Sequence, residues 1–118
     1  MIINEFVHWA KTVNKNNRFD EGISAKDLPN ALRKLYSVAN PKEVVIPLTD
    51  LNSVCFYAYE ELQELQEDYA VESGTIFATI NSDPIYLKDE AVYALKDEIL
   101  APSFEIFLQA LMSGELFE

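Results

Sequence analysis

The spacing of apolar residues changes from strand-like to helix-like along this chain, and the clearest such transition lies between Thr75 and Met112. Thr75-Ile76-Phe77-Ala78-Thr79-Ile80 is rich in β-branched and aromatic residues, holds no Pro or Gly, and ends at Asn81-Ser82-Asp83, residues that favour turns. Pro84-Ile85-Tyr86-Leu87-Lys88 returns from that turn; its Pro is tolerated at a strand's first position. After Asp89-Glu90 a third run, Ala91-Val92-Tyr93-Ala94-Leu95, follows at once. Connections this short join only antiparallel neighbours, so the three runs predict a meander. Phe104, Phe107, Leu108 and Leu111 then recur at i, i+3, i+4 and i+7, with Ser103 in place as N-cap and Gly114 where a left-handed C-cap belongs. That helix should lay one apolar face on the sheet.

Upstream, Asn4 is positioned to cap a first helix with the stripe Phe6, Trp9, Ala10 and Val13. Asn14-Lys15-Asn16-Asn17-Arg18 looks like a loop between two helices, and the second helix, opened by Leu28-Pro29, is stopped at Asn40-Pro41. Val44-Val45-Ile46 and Val54-Cys55-Phe56-Tyr57 predict strands, the first held to a sheet edge or a strand end by Pro47. Ala58 to Tyr69 predicts a helix with Ala58, Leu62, Leu65 and Tyr69 on one side. The fold class that results is α+β: one domain over residues 1–118, an antiparallel β-sheet meander flanked by helices.

At 118 residues and 49% hydrophobic content the chain is long and apolar enough to bury about two thirds of its unfolded surface, which excludes disorder. It has one cysteine, Cys55, no basic-then-apolar leader and no apolar run of about 18 residues. The expectation is a cytoplasmic protein that does not enter membranes. Charge changes the picture more. The net value is −11, yet residues 1–42 carry +3 and the remainder −14. So large an acidic excess argues against nucleic acid, which is held by lysine and arginine, and for a basic protein partner.

Several residue runs carry a resemblance. Ile76-Phe77-Ala78, continuing through Asp83-Pro84-Ile85 to Val92-Tyr93, is similar to the central strands of the SUKH superfamily. Pro102-Ser103-Phe104-Glu105-Ile106-Phe107-Leu108 resembles that family's closing Ser-Phe-x-x-Phe-Leu helix. Leu28-Pro29 with Leu32, Leu35, Tyr36 and Asn40 looks like its opening helix, although Pro41 stands where the family usually has glycine. The superfamily includes fungal cell-wall synthesis regulators and bacterial immunity proteins. The resemblance, spanning roughly residues 27–112, implies a SUKH-like domain that works by binding another protein.

Candidate site residues concentrate in one helix. At about 100° per residue, Glu60, Glu61, Glu64, Glu67 and Asp68 fall within about 120° of arc, opposite Leu62 and Leu65, and no lysine interrupts them. Like charges four apart cost a few tenths of a kcal/mol each, and acids near a helix C-terminus oppose its dipole. Two readings stay open, a solvated face that aids solubility and a surface for a basic partner. Tyr57 and Tyr59 flank the strand-to-helix junction and are placed to contribute a groove.

Other chemistry finds little support. His8 falls opposite the first helix's apolar stripe with no second ligand spaced for a metal, and Cys55 has no basic neighbour and suits a small buried hydrophobe. Trp9 and Tyr36 fit core anchors better than ligand-stacking platforms. Glu60 and Glu64 lie on one exposed arc rather than across a cleft, as paired acid/base carboxylates must. Gly-rich phosphate loops, nucleophile elbows and zinc motifs are absent. Neither a catalytic residue nor a cofactor is expected. The leading expectation, implied by the SUKH resemblance and compatible with the charge, is an immunity protein that blocks a cognate toxin, for example a nuclease; a regulatory or scaffolding module of the same fold, as the fungal members imply, comes next, and a small hydrolase last.

Overall fold

The computed structural model describes residues 2–48, 52–69, 74–94 and 98–114. Its largest unit is a six-stranded antiparallel sheet whose spatial order is its sequence order: β3 (Val44–Pro47), β4 (Ser53–Phe56), β5 (Thr75–Ile80), β6 (Asp83–Lys88), β7 (Ala91–Ala94) and β8 (Glu98–Ala101). Two-residue turns join β5 to β6 and β6 to β7. Asn81 and Ser82 (φ 49° and 73°), like Asp89 and Glu90 (φ 56° and 97°), adopt the left-handed geometry that matches strand twist, here without glycine. Leu95 falls outside the described residues. Pro47 ends β3 at a sheet edge, as expected, while β8 is a strand that the apolar pattern did not reveal.

Three helices cover one side of the sheet: α1 (Ile2–Val13), α2 (Asn30–Val38) and α4 (Phe104–Ser113). α4 is built as the sequence predicts. The Ser103 hydroxyl accepts from the Ile106 N–H at 3.1 Å, Gly114 closes the helix at φ 78°, and Phe104, Phe107, Leu108 and Leu111 are buried. They meet the sheet at Phe77, whose ring stands edge-on to Phe104 at 5.3 Å and to Phe107 at 5.8 Å. A register shift between Ile76 and Ala78 makes room for this contact. It lets Phe77 turn to the same side as Ala78, whose register partner Phe56 it touches at 5.9 Å. Phe6 of α1 completes the cluster at 5.2 Å from Phe56.

Asn4 does not cap α1, which starts at Ile2 and contains it; Ile3, Phe6 and Ala10 form the buried stripe, Trp9 is partly buried, and Val13 is 37% exposed at the helix end. After Asn14–Asn17 the chain does not pass directly to a second helix. Arg18–Glu21 forms β1, which pairs antiparallel with β2 (Ala39–Lys42), so Asn40-Pro41 lies inside a two-stranded ribbon. The buried side chain of Asn17 anchors this turn: it donates to the Ala10 and Val45 carbonyls (2.8 and 3.0 Å) and accepts from the Val45 N–H (2.7 Å). It thereby satisfies the outer edge of β3 as a neighbouring strand would.

Candidate binding surface

The remaining helix, α3 (Leu62–Tyr69), lies on the sheet's other side. Cys55 and Thr79 form a register pair pointing away from Phe56 and Ala78, and Tyr57, bonded to Thr79 through its hydroxyl at 3.0 Å, meets Leu65 of α3 in a shared cleft. The expected helix from Ala58 is shorter than its apolar spacing suggests. Ala58 is extended (ψ 153°), Tyr59–Glu61 form a 3-10 turn, and only then does α3 begin. Two contacts fix this entry. Glu61 folds back to accept from the Ala58 N–H at 3.1 Å, and the Tyr59 N–H donates to the Asn40 side-chain oxygen at 2.9 Å, so ordinary helical bonding starts late. Gln66 ties α3 to the start of β5 by donating to the Gly74 carbonyl at 3.1 Å and accepting from the Ile76 N–H at 2.9 Å.

All five carboxylates of the acidic arc are exposed, and they crown a ridge between two clefts. On one flank Glu60 and Glu67 join Tyr59, Asp27 and Gln63 around a groove of about 650 Å³. On the other, Glu61, Glu64 and Asp68 join Tyr57, Leu65 and Tyr69 around a cleft of about 270 Å³. Every residue the sequence singled out thus lines one of two adjoining depressions. They do not form one continuous face.

The two flanks differ electrostatically. Lys42, brought over by the β1–β2 ribbon, bonds the Glu60 carboxylate and lies 3.8 Å from Asp20, while the Asn40 amide donates to Glu60 at 3.0 Å. The expectation of an acidic face clear of lysine is therefore corrected at Glu60. Lys42 first, then Asn40, hold that carboxyl well below the usual range, at about 2. In the same groove the Tyr59 hydroxyl donates to Asp27 at 2.5 Å, a bond that raises the phenol's pKa. Tyr36 is fully buried beneath, donating to the Tyr57 carbonyl at 2.7 Å; its pKa is raised by burial first, then by the charges of Glu61 and Glu60. Asn40, Lys42 and Asp27 were missed as site residues because each is brought to α3 by pairing or packing with no local pattern, whereas Tyr69, placed by its spacing in the apolar stripe of α3, instead lines a cleft with Tyr57.

Glu60 gives a direct prediction. A carboxyl depressed in the fold adds stability above its ordinary pKa, and that contribution fades as pH falls from about 4.5 towards 2. Following the Glu60 side-chain carboxyl by NMR, Lys42→Ala is expected to return its midpoint most of the way to the ordinary value. An unchanged midpoint would show that the ion pair does not form in solution.

His8 is exposed on α1, and Cys55 is half-buried in β4, with burial as the main cause raising its thiol pKa. Among the described residues no group of three or more His, Cys, Asp or Glu side chains is arranged to hold a metal ion, and no helix is long and apolar enough to cross a membrane. No protein-family model matches the chain, and no curated protein sequence matches it.

Proposed function

We propose that the protein acts by binding, and that the α3 ridge with its two tyrosine-bearing clefts is the surface that engages a basic protein partner. The observation that carries this reading is the geometry of the ridge. Five exposed carboxylates stand between concave, aromatic-walled depressions, in the part of the chain that bears −14. Concavity gives shape to a contact that charge alone leaves unspecific, and the acidic field speeds encounter with a positively charged surface. The SUKH resemblance supplies the class of partner, a toxin that the protein neutralises inside the producing cell. A nuclease fits well, because its phosphate-binding cleft is basic and a carboxylate ridge can occupy it in place of substrate. Catalysis has no part in this reading. Glu60 lies in the Tyr59 groove and Glu64 in the Tyr57–Tyr69 cleft, so the two do not face each other across one site, and Glu60 is already bonded to Lys42.

The test is growth. A toxin encoded beside this protein's gene is expressed alone and together with it. Co-expression is expected to restore growth, and the two proteins should copurify in equal amounts at low salt. A neighbouring product that is harmless, or toxicity that co-expression leaves untouched, would sink the immunity role and favour a regulatory module that uses the same surface.

A further inference from the structure

The two clefts differ in what their polar groups are already committed to. In the larger groove Glu60 is bonded to Lys42 and Asn40, and Asp27 accepts from Tyr59, so two of its three carboxylates have intramolecular partners. The smaller cleft is lined by three carboxylates and no cation. Glu61 spends one oxygen on the Ala58 N–H, while Glu64 and Asp68 have no hydrogen-bond or ion-pair partner among the described residues. Its aromatic walls are also set in advance. The Tyr57 hydroxyl is held by Thr79 at 3.0 Å, and the Tyr69 hydroxyl donates to the Ser82 carbonyl at 2.5 Å, which ties both rings to the sheet at their far ends.

Resting on the binding role proposed above, we infer that the Tyr57–Tyr69 cleft, and not the larger groove, seats an arginine side chain of the basic partner. A volume of about 270 Å³ holds one long side chain and excludes a folded segment. A planar guanidinium can lie against a tyrosine ring and bond two carboxylates in a fork, whereas an ammonium makes a point contact and keeps its water more tightly. Rings held at their hydroxyls lose little freedom on binding, so more of the contact energy remains as affinity.

The experiment titrates the whole protein, at about 20 mM salt, with a blocked Gly-Arg-Gly tripeptide, its lysine counterpart and its uncharged citrulline counterpart, reading amide and side-chain shifts by NMR. Saturable shifts centred on Tyr57, Glu61, Glu64, Asp68 and Tyr69 are expected for arginine. Lysine should bind at least about threefold more weakly and citrulline should not saturate. Glu64→Gln with Asp68→Asn should weaken the arginine peptide by about fivefold or more while the remaining spectrum stays native. Shifts centred on Tyr59 and Glu67, arginine and lysine binding alike, or saturation by citrulline would overturn the arginine seat and leave a basic partner standing. No saturable shift with any of these or with hexa-arginine would remove both readings.

Discussion

Gly22→Ala is expected to destabilise the protein by about 3 kcal/mol and to lower its melting temperature by roughly 10–15 °C, measured by thermal and urea unfolding. A Cβ at this position would lie 2.0 Å from the Ser37 carbonyl oxygen, 2.6 Å from its carbon and 3.1 Å from the Val38 carbonyl carbon. All three are backbone atoms at the end of α2, so no side-chain rotation relieves the overlap. The chain leaving β1 must instead part from α2, which breaks the neighbouring bond from the Ile23 N–H to the Tyr36 carbonyl, 2.8 Å in the native fold. Gly114→Ala is the matched control. Its Cβ would meet nothing within 4 Å, and the only cost is a left-handed φ of 78°, about 1 kcal/mol. Equal losses in the two variants would mean that the close approach at Gly22 does not exist in solution.

The consequence reaches the ridge. β1 pairs with β2, and β2 carries Asn40 and Lys42, which between them fix the Tyr59 backbone and the Glu60 carboxylate. Loosening the ribbon should therefore disturb the Tyr59 groove before it disturbs the Tyr57–Tyr69 cleft, whose rings are anchored to β5 and the Asn81-Ser82 turn instead.

What the sequence revealed follows how local each cause is. The meander and α4 were legible because two short polar turns, one hydroxyl cap and one glycine act within a few residues of the elements they define. β1 was not. Arg18-Phe19-Asp20-Glu21 offers one apolar side chain in four, and only pairing with Ala39–Lys42, some twenty residues away, makes it a strand. β8 was missed for a similar reason: Glu98-Ile99-Leu100-Ala101 is short and half exposed, and its partner β7 defines it. In the site, helical periodicity placed Glu64, Glu67 and Asp68 on the exposed side of α3, because that depends only on residue spacing; Glu60 and Glu61 are exposed too, but in the 3-10 turn before it, and the five divide between two flanks. Periodicity could not show that Lys42 crosses to Glu60, or that Tyr69 closes a cleft with Tyr57, since both depend on how the ribbon and the sheet are placed around α3.

Reversing Glu64 and Asp68 together to lysine is expected to slow association with the basic partner by about ten- to a hundredfold at about 0.05 M salt. Stability should change by less than about 0.5 kcal/mol, because both side chains are exposed, neither has a partner among the described residues, and the pair repels as like charges four apart. At about 0.5 M salt the Debye length shrinks from ~14 Å to ~4 Å, and the two association rates should converge. Net charge alone could imitate this effect, so Glu5→Lys with Glu98→Lys serves as the comparison. Both acids are exposed, Glu5 on α1 across the sheet from α3 and Glu98 on β8, three strands from β5, and reversing them raises the net charge by the same four units as the ridge pair. A ridge that contacts the partner makes the Glu64 and Asp68 reversal much the slower of the two. If both pairs slow association equally, the field of the whole protein steers the encounter and the ridge is only one contributor to it. If neither pair does, the acidic arc is a solvated face and the partner docks elsewhere.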